Sequence, residues 1–374
     1  PAGDLFMNMI KMLIVPVIFF SVTSGIAAIG DVQRLKRIGS KVVIVYFLMT
    51  VIACIVGIVM VNITHPGVGF TLDNMQAFDT SKVKTPSFVN FLFDMVPVNI
   101  VDSMAKNQIM QMIFFTVLVG VALVSLGEKV AGVTKIFDQC ASIIYKMLDI
   151  VMLYSPIGVL ALMANTTAVF GPKLFGVLAK FVFTDWVGCL LIWFFFSGIV
   201  WLYTKVNYLE MCKSMIPIWV NTIATNSSAG TIPITLNVTT ERLKVPMSIA
   251  SFSIPLGATI NLTGAALYKT ILAFFVAEIY GLQLTIDQIL MVIIISTIMS
   301  IAAPGIPGGG IVTGAIFLNL LGLPMDLMGP IAGMYRLIDM SHTTVNVSGD
   351  VLGTMLVAKN ENIWTGEDFN KTLV

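Results

Sequence analysis

The sequence predicts an all-α polytopic membrane protein, and three observations carry that prediction. Of 374 residues, 57% are hydrophobic and only 11% charged, against about a quarter charged in soluble domains. Mean hydropathy is +0.94. The apolar residues fall in long unbroken runs, not in the short alternating segments of a transmembrane β-barrel. Lys and Arg together number 21 against 20 Asp and Glu, so no basic excess exists to neutralise nucleic-acid phosphates. A cytosolic enzyme or a disordered chain would need far more charge. Cys54, Cys140, Cys189 and Cys212 have no close spacing, so neither a disulfide framework nor a metal site is indicated.

Runs near residues 5–30, 42–64, 87–126, 141–168 and 174–203 are each long enough to span a bilayer, which takes about 20 residues. Arg34, Lys36, Arg37 and Lys41 crowd the first connection and place it in the cytoplasm. The next connection, 65–86, holds only Lys82 and Lys84, offset by Asp73 and Asp79. Lys129 and Lys135 fall inside, Lys173 outside, and Lys205 and Lys213 inside again, so the alternation is consistent. The chain opens Pro1-Ala2-Gly3-Asp4 without an initiator Met or a signal-peptide pattern, from which a preceding span is expected.

After about residue 205 the runs shorten. Residues 209–225 lead to a polar tip, Asn226-Ser227-Ser228-Ala229-Gly230-Thr231-Ile232-Pro233, and return to Glu241, Arg242 and Lys244. That reads as a re-entrant hairpin entering from inside. A second one follows: 288–302 is apolar, 303–310 reads Ala-Pro-Gly-Ile-Pro-Gly-Gly-Gly, and 311–323 is apolar again. Its flanks carry Asp287 and Asp326 but no Lys or Arg, so it enters from outside. Such backbone is tolerated at membrane depth only when buried in protein or lining a cavity. Thr259-Ile260-Asn261-Leu262-Thr263-Gly264 is echoed by Thr344-Val345-Asn346-Val347-Ser348-Gly349, each copy after one hairpin, which suggests an inverted repeat.

The last span, about 327–358, gathers Arg336, Asp339, His342, Thr343, Asn346 and Asp350 at helical spacing, which predicts one polar face. An Arg336–Asp339 ion pair would explain two of these residues. Asp350, Asn346, Asn261 and the carbonyl near Gly257 offer hard oxygen ligands for a small cation, although Asn261 also suits a helix-break cap. Asp339 suits an ammonium group. Asn346 and Thr343, with helix N-termini at the two tips, suit a carboxylate. Ser227 and Ser228 serve equally as turn formers, and Gly305 with Gly308, Gly309 and Gly310 as permissive backbone or as a gate.

Four ordered segments carry a family resemblance: the Ser-rich tip with Gly230-Thr231-Ile232-Pro233, then Pro255-Leu256-Gly257-Ala258-Thr259-Ile260-Asn261, then Pro304-Gly305-Ile306-Pro307-Gly308-Gly309-Gly310, then Asp339 through Asp350. The chain resembles the dicarboxylate/amino acid:cation symporters, which include glutamate and aspartate transporters and neutral amino acid exchangers, and looks like a bacterial or archaeal-type member. The resemblance implies a glutamate-transporter-like fold whose first span precedes this chain, and a multi-pass cell-membrane homotrimer working by an elevator mechanism. It implies scaffold over 1–33 and 87–168, transport region and extracellular loop over 34–86, and transport core over 169–374, with hairpins at about 209–243 and 285–322. Ser228, the Ile306–Gly310 tip with Pro307, Gly308 and Gly310, Asp339, Thr343 and Asn346 fall where the family contacts an amino acid. Ser227, Ala265 and His342 complete the candidate pocket. Gly257, Asn261, Asn346 and Asp350 match one sodium site; Thr259, Ser300, Ile301 and Ala303 match a second.

The departures shape the expected substrate. Acidic-substrate members carry an Arg where this chain has His342, and imidazole cannot reproduce that bidentate fork. Asn226 replaces an Arg of some relatives, and Ala265 a substrate-touching Thr. These differences favour a neutral or small polar amino acid. A protonated His342 would instead attract an acidic one and make its transport pH-dependent. Thr263 stands where relatives have a third-site carboxylate, and Met49-Thr50 where they have Thr-Ser. Lys269 lies where relatives hold Gln or an acid, so it is a candidate built-in cation or a snorkelling Lys. Arg336 is the other coupling candidate. The expectation is a sodium-coupled amino acid symporter of the cell membrane, without cofactor or nucleic-acid partner, in contact with lipid. Open alternatives are proton coupling through His342, Asp339 or Asp350, a dicarboxylate substrate, and an anion-conducting channel. An enzyme is not expected, because no Ser-His-Asp or metal-ligand spacing appears and His65 and His342 lie far apart in sequence.

Overall fold

The structure, a computed structural model, describes residues 2–17, 19–20, 23–27, 39–69, 93, 96–106, 108–154, 156–158, 160–161, 164, 168, 173–301 and 308–371. Among these, all regular structure is helical: α1 (Ala2–Val17), α2 (Thr23–Ala27), α3 (Ser40–Thr64), α4 (Ile100–Ala105), α5 (Ile109–Leu126), α6 (Ala131–Leu153), α7 (Lys173–Thr204), α8 (Tyr208–Thr225), α9 (Ile232–Asn237), α10 (Met247–Ile260), α11 (Thr263–Ile279), α12 (Ile286–Ile301), α13 (Gly309–Leu320), α14 (Met328–Asn360) and α15 (Gly366–Asn370). Arg34, Lys36, Arg37 and the connection carrying Lys82 and Lys84 lie outside the described residues.

Among the described residues, four stretches are long and apolar enough to cross a membrane: Ser40–Thr64, Phe114–Ile144, Leu174–Thr204 and Met247–Ile279. Their outward faces are greasy. Ile44, Phe47, Leu48, Ile55 and Val59 are exposed on α3, and Phe183, Leu190, Phe194 and Leu202 on α7. A water-soluble monomer rarely shows such continuous apolar surface. The interior holds the polarity instead, with Thr50, Asp185, Asn261, Lys269 and Asp350 all buried.

Two helices form the centre. α11 is buried without a break from Thr263 to Ala273 and packs on α3, α7, α12 and α14. A helix apolar all round belongs inside other helices. α14 packs on α7, α8, α10, α11 and α13. Elsewhere α1 lies on α6, and α2 on α5 and α6.

Some boundaries differ from those the hydropathy predicts. The run 87–126 does not form one helix: Asn99 caps the short α4 by accepting from the amides of Val101 and Asp102, and α5 starts afresh at Ile109. The first half of the run 141–168 belongs to a helix that begins earlier, at Ala131, and ends at Leu153, and residues 156–158, 160–161, 164 and 168 are helical again; hydropathy tracks the apolar solvent and not the helix ends. The two copies of the repeated motif also part company. The first breaks the chain between α10 and α11, where Asn261 (φ −106°, ψ 58°) and Leu262 (φ −88°, ψ 61°) leave helical geometry. The second runs unbroken through α14.

Candidate substrate and ion site

The break at Asn261 frees backbone and side chain together, and α14 answers both. The Gly264 amide, in the first turn of α11, has no partner within its own helix and donates to Asn346 Oδ1 at 2.7 Å. Asn261 Nδ2 donates to Asp350 Oδ1 at 2.9 Å, and Thr263 Oγ1 donates to Asn261 Oδ1 at 2.7 Å. Gly257 presses on Asp350 so closely that a Cβ there would collide with the carboxylate. The structure therefore brings Gly257, Asn261, Asn346 and Asp350 together as oxygen-rich, fully buried neighbours. Among the described protein groups none supplies a cation to Asp350, although a buried carboxylate is costly without one. These residues fit a small hard cation held by oxygen ligands.

The second expected cation set is only partly placed. Thr259 Oγ1 donates to the Leu256 carbonyl at 2.7 Å. Ser300 Oγ accepts from Lys269 Nζ at 3.1 Å, and the Ala265 carbonyl accepts from the same ammonium at 3.2 Å. Ile301 ends α12, and Ala303 lies outside the described residues. Lys269 is fully buried, so it does not snorkel; its ammonium stands beside Ser300 itself.

About three turns earlier on the same face of α14, Asp339 is 8% exposed and meets the second tip. The Gly308 amide donates to Asp339 Oδ2 at 3.3 Å, and Tyr335 Oη donates to Oδ1 at 3.3 Å. Gly310 backs onto the Tyr335 ring, where a Cβ would clash. Ile306 and Pro307 lie outside the described residues. Thr343 is buried one turn along from Asp339, and Ala265 lines α11 nearby. At the first tip, Ser227 Oγ accepts from the Gly230 amide at 3.0 Å, the contact of a turn former. Ser228 is buried, and its carbonyl accepts from Thr231 Oγ1 at 2.9 Å. Asn226 closes α8 in the left-handed region and donates from Nδ2 to the Arg336 carbonyl at 3.0 Å.

Two expectations need correction. Arg336 does not share the buried face of Asp339, His342, Asn346 and Asp350: it is exposed, and no Arg336–Asp339 ion pair forms. At about 100° per residue Arg336 lies about 60° from Asp339 and about 120° from His342, at the edge of that face. His342 does not stand alone in the pocket either. Its Nε2 lies 2.7 Å from Oδ1 of Asp185 on α7, with side chains 1% and 0% exposed. Ser341 Oγ donates to Asp185 Oδ2 at 3.1 Å. His342 Nδ1 and the Tyr268 hydroxyl, whose rings are 5.3 Å apart, have no hydrogen-bond partner among the described residues. Sequence reasoning missed Asp185, yet the signal was present: it is the lone carboxylate in the apolar run 174–203.

A buried carboxylate, an oxygen-rich cluster beside a broken helix and an apolar outer surface are what the described residues bring together. The chain belongs to the sodium:dicarboxylate symporter family, whose match covers residues 1–360. It is 31% identical over 374 residues to a proton/glutamate-aspartate symporter of Bacillus subtilis, covering 99% of this chain and 90% of that one. It is 33% identical over 372 residues to a proton/glutamate-aspartate symporter of Escherichia coli, covering 97% and 85%. A C4-dicarboxylate transport protein of Bacillus subtilis is 31% identical over 371 residues, covering 97% and 87%. The protein is thus a multi-pass membrane symporter and not an enzyme.

Proposed function

We propose that the protein is a cation-coupled symporter of a neutral or small polar amino acid, with sodium as the main coupling ion. The observation that carries the substrate class is the Asp185–His342 pair. Where acidic-substrate relatives present an Arg, this chain presents an imidazole already facing a carboxylate. With Asp185 ionised, the pair is neutral or negative, so a substrate's side-chain carboxylate meets no net positive charge. Asp339 takes the α-ammonium. Asn346, Thr343 and the tips at Ser227–Ser228 and Ile306–Gly310 take the α-carboxylate. The unpartnered His342 Nδ1 and Tyr268 hydroxyl suit a hydroxyl or amide side chain.

Sodium coupling rests on the cage of Gly257, Asn261, Asn346 and Asp350, whose donor set is all oxygen. Thr259, Ser300, Ile301 and Ala303 form the second site, and the Lys269 ammonium at Ser300 serves there as a built-in cation. The chain works as a homotrimer in lipid. Its two hairpins, about 209–243 and 285–322, are re-entrant, and its transport core (34–86 and 169–374) slides on a scaffold (1–33 and 87–168).

A second reading, a proton-coupled carrier of acidic amino acids or C4-dicarboxylates, is favoured by the names of the three relatives. Counterflow into proteoliposomes separates the two. Serine-like and amide substrates should exchange in sodium and fail without it. Robust aspartate or dicarboxylate counterflow at alkaline pH, with neutral amino acids inert, would overturn the first reading. Substrate-independent current without accumulation would point to a channel.

A further inference from the structure

The contact between α7 and α14 holds more than an ion pair. Asp185 and Cys189 sit one turn apart on α7, and His342 faces them from α14. One carboxylate oxygen, Cys189 Sγ and one ring nitrogen of His342 all lie within 4.8 Å of one another, and all three residues are buried. We propose that these three residues form a binding site for a divalent transition-metal ion of the Zn2+ type.

The geometry and the chemistry agree. Zinc bonds of about 2.0–2.3 Å to nitrogen, oxygen and sulfur put tetrahedral ligands roughly 3.3–3.8 Å apart. Asp185 Oδ1 and His342 Nε2, now 2.7 Å apart, need to open by about half an ångström for that geometry. Cys189 Sγ, 4.0 Å from the other carboxylate oxygen and within 4.8 Å of the two remaining ligand atoms, needs to close by up to about 1 Å. Thiolate, imidazole and carboxylate together suit a borderline-soft ion and not Na+, Mg2+ or Ca2+, which take oxygen. Ser341 Oγ steadies the carboxylate from outside, as outer partners of metal ligands do.

Charge favours the exchange as well. Starting from a paired Asp185–His342 and a neutral thiol, the ion displaces the shared proton and the thiol proton, so its two positive charges leave the net charge of the buried cluster unchanged. A site in low dielectric is seldom offered a divalent ion on such terms. There is also room for a fourth ligand: a cavity of about 510 Å³ between α7, α8 and α14 has Cys189 and Ser341 in its wall. The ion would tie α7 to α14 within the transport core and take Nε2 of His342, fixing a ring of the proposed substrate pocket, so the bound metal shifts substrate affinity.

The test uses the full chain in detergent or nanodiscs, titrated with Zn2+ by calorimetry and with Co2+ by absorption. The expected results are saturable binding with proton release, and a thiolate-to-cobalt charge-transfer band in the near ultraviolet. Cys189→Ser should abolish the band and weaken binding more than about 100-fold, and Ser341→Ala should weaken it about tenfold. Cys54→Ser and Cys140→Ser should change neither. Absence of the band, or its persistence in Cys189→Ser, would overturn the site. Metal binding is read without any substrate, so failure of the amino acid assignment leaves this test intact. Saturable metal binding with an unchanged substrate KM in counterflow would overturn the effect on the pocket.

Discussion

Replacing Asp185 by Asn keeps the shape of the side chain and a partner for His342 Nε2, but takes a negative charge from beside the pocket. At a separation of about 10 Å and an effective dielectric near 20, that charge is worth on the order of tenfold in selectivity. Asp185→Asn should therefore raise aspartate uptake relative to serine by about that factor, read as the ratio of initial rates in proteoliposomes. An unchanged ratio would show that the pair does not set substrate charge. Asp185→Ala also strands the imidazole, and breaking a buried pair costs roughly 3–5 kcal/mol, to be seen as a lowered thermal midpoint in detergent. Lys269 makes a separate prediction. Its ammonium meets only uncharged oxygens, Ala265 O and Ser300 Oγ. Lys269→Gln should add a sodium ion to the transport cycle, measured as a steeper dependence of uptake on sodium. The same steepness in the variant and the wild type would remove Lys269 from the coupling scheme.

At the scale of elements, the approach of α11 to α14 depends on a missing side chain. A Cβ on Gly264 would lie 2.6 Å from His342 Cα, which is backbone and cannot swing aside. Gly264→Ala should cost about 1–3 kcal/mol by overpacking and weaken substrate binding with it. Gly198→Ala on α7 meets nothing within 4 Å and should stay within about 1 kcal/mol of wild type in the same melting assay. Equal losses in the two variants would show that the close approach is not what matters. The same elements show what was legible beforehand. The buried face of Asp339, His342, Asn346 and Asp350 follows from helical spacing alone, and a helix-break cap is one of the two readings the sequence leaves open for Asn261, where the chain does leave helical geometry. Which helix faces His342 does not follow, because Asp185 is 157 residues away and only the packing of α7 on α14 joins them. Spacing rules for metal ligands missed Cys189 because Asp185, one turn before it, makes only a pair, and the third member, His342, comes by tertiary contact. The repeated motif also conceals a difference, since Asn261 breaks a helix and Asn346 does not.

Across the whole molecule, burial is uneven. The apolar window of Met247–Ile279 is 89% buried, against 22% for Phe114–Ile144. Amide exchange in detergent should accordingly be slowest through α11 and the middle of α14, and faster in α5; equal protection would contradict this gradient. Polar clasps close the centre. Tyr46 Oη donates to the carbonyls of Ser253 and Asp350, and Ser253 and Thr354 share a hydroxyl contact at 2.6 Å, tying α3, α10 and α14. At the start of α3 and the end of α14, Lys41 Nζ donates to Asn360 Oδ1 and pairs with Glu361. That last clasp joins residues 320 positions apart. A ribosome adding about 5–20 residues per second takes roughly 15–60 s to cover that distance. For all that time the newly made α3 waits in the bilayer without its final neighbour. Its mean hydropathy of 3.0, above that of the other three spans, lets it wait there as a free-standing segment. A polar substitution on its lipid face should therefore reduce yield during biosynthesis, before it shows any effect on the finished carrier.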